Sequence, residues 1–366
     1  MGTLSGGMSS AVAAALVLSG SACSTGLPPA PTVTGLLPGL VELDAGTTAL
    51  LQAVSPVNDR VVWISGHAGT WARSEDGGAT WTSGVVRGAD TLQFRDLYAL
   101  DARRAWLLSA GTGDVSRIYY TEDGGETWTE QFRNGNSRAF YDCLAFWDER
   151  NGLALSDGAD GRFPLLATRD GKTWTLLPEP ARPAARPGEG AFAASGTCLV
   201  TVGDSHAWFG TGAAAEGRAR VIRTNDRGRS WLAIETPIPS GPAAGIATVA
   251  FRDRHHGVAL GGDLARPDSF TDNVAVTEDG GSSWTVGARP PFPGAIYGAA
   301  YEPETDRPAL VAVGPRGAAV SWDDAQSWSL IDTRAYWSVG IARGGRAWLV
   351  GPSGRIHRFD IPPGPR

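Results

Sequence analysis

Short apolar runs broken by turn signals recur along the chain from position 40 onward. One set alternates apolar and polar residues: Phe94-Arg-Asp-Leu97, Phe140-Tyr-Asp-Cys-Leu144, Ile246-Ala-Thr-Val-Ala250 and Ile296-Tyr-Gly-Ala299. A second set follows at a fixed interval: Val62-Trp63-Ile-Ser-Gly66, Ala105-Trp106-Leu-Leu, Gly152-Leu-Ala-Leu155, Ala207-Trp208-Phe-Gly210 and Gly257-Val-Ala-Leu260. Runs of this length with turn residues at both ends predict strands. Downstream of each pair comes a polar turn capped by tryptophan, so each unit reads strand, strand, strand, turn, strand.

The turn is the most regular element. It appears as Ser74-Glu-Asp76-Gly-Gly78-Ala-Thr-Trp81, Thr121-Glu-Asp123-Gly-Gly125-Glu-Thr-Trp128, Thr224-Asn-Asp226-Arg-Gly228-Arg-Ser-Trp231 and Thr277-Glu-Asp279-Gly-Gly281-Ser-Ser-Trp284. Two copies depart from the rule. Thr168-Arg-Asp170-Gly171-Lys-Thr-Trp174 is one residue short, and Ser321-Trp-Asp323-Asp-Ala325-Gln-Ser-Trp328 has Ala for Gly. The tryptophans recur every 44 to 57 residues, the period of a four-stranded propeller blade. The aspartate accepts backbone N–H groups, glycine supplies positive φ, and the indole anchors the next strand. Asp76, Asp123, Asp170, Asp226, Asp279 and Asp323 are therefore structural.

This pattern resembles the BNR repeat, or Asp-box, of the sialidase-like superfamily. It predicts an all-β chain forming one seven-bladed β-propeller. Six units end in the turn. A seventh, Ser338-Val-Gly-Ile341, Arg346-Ala-Trp348-Leu-Val350 and Arg355-Ile-His-Arg-Phe359, lacks its fourth strand. Leu40-Val-Glu-Leu-Asp44 is expected to supply it and remove the open edges. The domain boundaries predicted are 1–23 for a signal peptide, 24–38 for a flexible Pro/Gly/Thr-rich tether, and 39–362 for the propeller.

Composition narrows the function. The net charge is −6 and the basic residues are scattered, which gives no footprint for nucleic acid. Ala11 to Leu18 is apolar but too short to span a bilayer. Small residues follow up to Cys23, so export to the periplasm or cell envelope is expected, with lipidation at Cys23 as the sole membrane attachment. The leader departs from the usual layout, with Gly20 where Leu is customary and no Lys or Arg in its first ten residues. Cys143 and Cys198 admit a disulfide. Two buried free thiols are the reading preferred. No His or Cys stands at ligand spacing, so neither a metal nor a cofactor is expected.

In a propeller, the starts of the inner strands share one face with the loops joining second and third strands. Those loops are long here: 110–116, 157–163, 210–218 and 262–273. The connection 178–193 adds to them. Loops on a rigid scaffold carry binding, so this face holds the candidate site. Its tunnel mouth is predicted to present Arg95, Asp96, Arg138, Tyr141, Asp142, Tyr297, Tyr336 and Trp337, with His67, His255 and His256 as outlying candidates. Two readings stay open. The polar and aromatic groups bind a ligand or partner, or Asp96 and Asp142 brace neighbouring blades while the aromatics fill the tunnel.

The order of strands and turns also looks like that of bacterial relatives of the photosystem II stability/assembly factors, over about Leu40 to Pro362. The resemblance implies an exported, often lipid-anchored, non-enzymatic scaffold or binding propeller; a protein or glycan partner bound through the loop-rich face of a monomer is the expectation. The arginine-rich surface of those factors has no residue-by-residue counterpart here. The alternative is a glycoside hydrolase of the sialidase-like superfamily, for which Asp96 and Asp142 are the carboxylate pair. The nearest string to the sialidase Arg-Ile-Pro motif is Gly161-Arg162-Phe163-Pro164, on a loop of the third repeat. No Gly-rich strand-to-helix loop or haem-attachment motif is present.

Overall fold

The computed structural model describes residues 36–364, apart from 193, 216 and 304–308. The predicted leader, Cys23 and most of the tether lie outside the described residues. Leu37 does not belong to a tether: its N–H donates to the Leu330 carbonyl at 3.1 Å and its side chain packs on the core.

Seven antiparallel sheets follow one another in a ring. Their inner strands are Leu51–Pro56, Phe94–Ala99, Phe140–Phe146, Leu199–Val202, Ala244–Phe251, Gly298–Tyr301 and Ser338–Ile341. The last blade is completed as expected: Leu40–Leu43 pairs antiparallel with Ile356–Asp360, setting Leu40 opposite Phe359. A sheet covers neither of its faces by itself, and seven apolar clusters among the described residues lie one at each blade-to-blade interface. The core is thus distributed around the ring, with Trp63, Trp106, Trp208 and Trp348 wholly buried in it.

The recurring aspartate turns share one hydrogen-bonding scheme. In the first, Ser74 Oγ donates to Asp76 Oδ1 at 2.8 Å and accepts the Gly78 N–H at 2.7 Å. Asp76 in turn accepts the Thr80 N–H at 2.8 Å and the Thr80 hydroxyl at 2.6 Å. Asp123 with Thr127, Asp226 with Ser230, Asp279 with Ser283 and Asp323 with Ser327 repeat it. The short copy keeps the acceptor and loses one residue of reach: Asp170 Oδ1 takes the amides of Lys172 and Thr173. In the copy without glycine, Asp324 and Ala325 adopt φ of 53° and 64°, so the scheme holds L residues in the left-handed region.

These turns also join the blades. Two second-strand tryptophans reach the turn of the next blade: Trp106 Nε1 donates to the Gly171 carbonyl and Trp208 Nε1 to that of Gly280, each at 2.9 Å, while the buried Trp348 indole N–H has no partner among the described residues. Trp63 Nε1 donates at 3.0 Å to the Asp101 carbonyl. Third-strand arginines reach turn carbonyls too, Arg73 to Gly124 at 2.9 Å and Arg223 to Gly280 at 2.8 Å. Where blades three and five carry Leu153 and Val258 instead of tryptophan, the first hairpin takes over. Trp147 Nε1 donates to the His206 carbonyl at 2.7 Å, and Arg252 holds Asp324 through two bonds at 3.1 and 3.0 Å.

A second repeat went unread in the sequence. The first hairpin of several blades carries an Asx turn, with Asn58, Asp101, Asp148 and Asp253 each accepting two successive backbone amides. The aspartate turn docks on it, as in Gly77 N–H to the Arg60 carbonyl and Gly124 N–H to that of Arg103, both 2.8 Å.

Cys143 and Cys198 are not free thiols. They form a disulfide between the third and fourth blades, with Cα atoms 6.1 Å apart. The reason is positional. Cys143 pairs with Leu155 on its second strand, and Cys198 accepts from Gly210 just before Leu199 pairs with Phe209. The two cysteines therefore occupy the same ring position in adjacent blades.

Two outcomes follow. Gly125 sits at φ +95°, and a Cβ there would meet the Trp71 ring at 2.3 Å, whereas Gly88 at φ +74° has open space. Gly125→Ala should cost about 2–5 kcal/mol, from backbone strain plus overpacking. Gly88→Ala should cost only the strain, about 1–2 kcal/mol. Chemical denaturation of the two variants compares them. Separately, the Thr80 and Thr127 hydroxyls hold the Asp76 and Asp123 carboxyls at about 2, and the Thr173 and Lys172 amides hold Asp170 at about 2. A carboxyl depressed in the folded state stabilises above its unfolded value near 4 and loses that contribution as pH falls toward 2. Tryptophan-monitored melting should therefore weaken across that window, and less steeply in an Asp76→Asn/Asp123→Asn variant.

Candidate functional site

The aspartate turns and first hairpins occupy one face of the ring. His255 and His256 lie in such a hairpin, and the His255 carbonyl accepts the Gly280 N–H of the neighbouring turn at 2.7 Å. They are therefore on the turn face, not at the predicted mouth. His256 Nδ1 is engaged by Asp253 at 2.8 Å. On this face the tunnel holds a cavity of ≈ 290 Å³, with Leu97, Leu144, Phe146, Leu199 and Phe251 among its walls.

On the opposite face the inner strands begin, and most of them begin with a β-bulge. Register shifts fall between Leu51 and Ala53, Phe94 and Asp96, Tyr141 and Cys143, and Ile246 and Thr248. A bulge leaves one residue unpaired and re-aims its side chain. The residues so placed are Gln52, Arg95, Asp142 and Ala247. Tyr297 and Trp337 hold the corresponding places before Gly298 and Ser338, where the last two inner strands start. Arg95 therefore corresponds to Asp142, and Asp96 to Cys143. The sequence reading had matched Asp96 with Asp142, one residue out of step.

The next layer ties blades together. Asp96 is buried, its Oδ2 accepting the Leu144 N–H of the following blade at 2.6 Å and its Oδ1 the Leu97 N–H at 2.6 Å. Thr248 Oγ1 accepts the Ala299 N–H of the sixth blade at 3.2 Å, and the disulfide holds the same layer between blades three and four. Asp96 is a brace. Burial raises its carboxyl well above the usual range despite the two amides.

At the mouth, a cavity of ≈ 340 Å³ is bounded by Gln52, His67, Arg95, Phe192, Tyr297 and Trp337, with Leu50, Ala194 and Leu264 behind them. His67 Nε2 bonds Gln52 Oε1 at 2.6 Å, and Gln52 Nε2 donates to the Ala194 carbonyl at 3.3 Å. Arg95 is anchored by Gln93 Oε1, at 3.0 Å from Nε and 2.5 Å from Nη2. The rings of Tyr297 and Trp337 meet edge to face at 5.2 Å. Burial lowers the His67 imidazole below its ordinary value, and the Arg95 charge lowers it further. The cavity offers one guanidinium, amide groups and an aromatic wall.

Of the predicted mouth residues, Arg95, Tyr297 and Trp337 meet here with His67. The others do not. Asp142 is wholly buried. Tyr141 packs edge-on to Phe132 at 5.5 Å within the interface of blades two and three, where burial pushes its hydroxyl up to about 12. Tyr336 is wholly buried too, its hydroxyl donating to Asp332 and meeting His357 Nδ1 at 3.1 Å. Arg138 points outward and pairs with Asp160 at 2.6 Å. With Asp96 and Asp142 both shut away from solvent, the carboxylate pair of the hydrolase reading does not face the cavity.

Gln52 and Phe192 were missed. Gln52 becomes visible once Leu51-Gln-Ala-Val54 is set beside Phe94-Arg-Asp-Leu97. Phe192, in the longest connection, carries no repeat signal at all. Among the described residues, Asp142, Cys143 and Cys198 form the one group of three or more His, Cys, Asp or Glu whose ligand atoms lie within 4.8 Å of each other. Sequence spacing hides it, because the cysteines are 55 residues apart.

No family model and no curated protein matches the chain. Solved structures do. YCF48 bound to D1 peptide is 14% identical with a TM-score of 0.62, covering 89% of this chain and 98% of that one. YCF48 from Cyanidioschyzon merolae is 14% identical with a TM-score of 0.60, covering 88% and 98%. U3-55K, at 11% identity and a TM-score of 0.61, also covers 88% and 98%. At these identities the likeness is one of fold.

The cavity electrostatics give a direct check. In an NMR titration, His67 should protonate below the ordinary histidine value, and Arg95→Gln should move its midpoint upward by removing the neighbouring positive charge.

Proposed function

We propose that this chain is a non-enzymatic scaffold, an exported Asp-box propeller of the assembly-factor type. It binds a protein segment at the mouth formed by Arg95, His67, Gln52, Tyr297 and Trp337. The observation that carries the reading is the composition of that cavity. A guanidinium and amide groups stand on one side and an aromatic wall on the other, on a backbone held rigid by the inner strands. Such a surface takes a segment that offers a carboxylate or backbone carbonyl to the polar side and an apolar side chain to the rings. The fold likeness to YCF48, solved with a D1 peptide, supports a protein over a glycan as partner. The Cys143–Cys198 disulfide supports export, since such bonds persist in oxidising compartments. Residues 1–23 act as the leader in this reading, and Cys23 as the lipid attachment. The ring acts as a monomer.

The test is affinity capture from envelope extracts with the wild-type chain, an Arg95→Ala/Trp337→Ala variant, and a turn-face control, Glu126→Ala/Glu278→Ala, whose glutamates are exposed. A partner retained by wild type and control and lost from the mouth variant is expected. Equal retention by all three, with the melting temperature of the mouth variant unchanged, would overturn the reading.

A further inference from the structure

Among the described residues, Asp142 is the one side chain with two buried polar atoms lacking a partner. It is wholly buried, and neither carboxylate oxygen has a hydrogen-bond partner on another described residue. Its counterpart Arg95 faces the cavity, whereas the Asp142 carboxylate is drawn into the layer of Cys143 and Cys198. A carboxylate oxygen and the two sulfurs all lie within 4.8 Å of one another. A buried, unpartnered carboxylate is costly unless it is protonated or compensated by a cation. The charges around it do not settle the matter: Arg95 attracts, while Asp157 and Asp96 repel.

We propose that in the reduced chain Asp142, Cys143 and Cys198 bind a divalent transition-metal ion of the zinc type, so that metal and disulfide are alternative occupants of one site. With bonds of about 2.3 Å to sulfur and about 2.0–2.2 Å to oxygen, tetrahedral ligand atoms stand about 3.3–3.8 Å apart, so the two sulfurs must part from their bonded separation of about 2 Å to take an ion. Two thiolates with one carboxylate are the donor set that zinc, cobalt(II) and cadmium accept, and three protein ligands leave one position open. The chemistry balances. A phosphine reductant and one water convert the disulfide into two thiols and the phosphine oxide. Binding the ion then releases both thiol protons, and any proton carried by Asp142. Arg95, which lines the mouth, holds the place equivalent to Asp142 one blade away.

The test uses the full chain folded from denaturant in a phosphine reductant without oxygen, titrated with cobalt(II) as the probe. One cobalt per chain, with a sulfur-to-cobalt charge-transfer band displaced by zinc, is expected. The oxidised chain should show no such band, and neither should Cys143→Ser/Cys198→Ser. The isosteric Asp142→Asn should bind at least about tenfold more weakly, since losing a direct ligand costs no less than losing an outer partner. Absence of the band in the reduced wild-type chain overturns the proposal without recourse to any variant. Affinity in Asp142→Asn equal to wild type overturns the part played by the carboxylate.

Discussion

The contact on which the ring depends is the reach of one blade into the turn of the next. A four-stranded sheet leaves two apolar faces to cover, and hydrophobic burial alone sets no angle between neighbours. The indole N–H of Trp106 on the Gly171 carbonyl, and of Trp208 on that of Gly280, sets it. The aspartate turn presents that carbonyl in a fixed direction because its own amides are satisfied by the aspartate and the preceding hydroxyl. A polar turn at the surface thus decides how buried rings stack. In blades three and five, whose second strands have no tryptophan, Trp147 and Arg252 bind across the interface from the first hairpin instead.

Much of this architecture was legible because its determinants are local. Asp, Gly and Trp stand at fixed offsets within each turn, so the blade count, the strand order and closure by Leu40–Leu43 could be read directly. The site was less legible because it depends on a bulge. One extra residue in an inner strand shifts everything after it against the second strand, and nothing in Phe94-Arg-Asp-Leu97 or Tyr141-Asp-Cys-Leu144 marks which residue is extra. Matching the two aspartates was the natural choice, and the backbone chose otherwise. The cysteine pair was visible as a possible disulfide, but connectivity does not follow from spacing; the register, which gives Cys143 and Cys198 equivalent places, decides it.

The two faces divide the work. On one, the recurring aspartates and the Asx turns of the first hairpins hold turn to hairpin. On the other, the bulge residues Gln52 and Arg95 line the mouth, and the layer beneath them carries the bracing: Asp96, Thr248 and the disulfide. Mouth and brace are adjacent positions in one strand. Changes in the upper layer can alter what the cavity holds while the lower keeps the blades in place.

The pairing of Leu40 with Phe359 has a consequence for how the molecule comes into being. Six blades are contiguous in sequence and can assemble in the order in which they are made. The seventh cannot, because its outermost strand is made first and its other three last. Until the final strand arrives, the nascent protein is an open arc with a bare sheet face at either end, the kind of surface that associates wrongly when left waiting. Closure is a contact between the extremes of the chain, the slowest kind to find. A cell making this protein must keep that arc unpaired until its last residues are in hand.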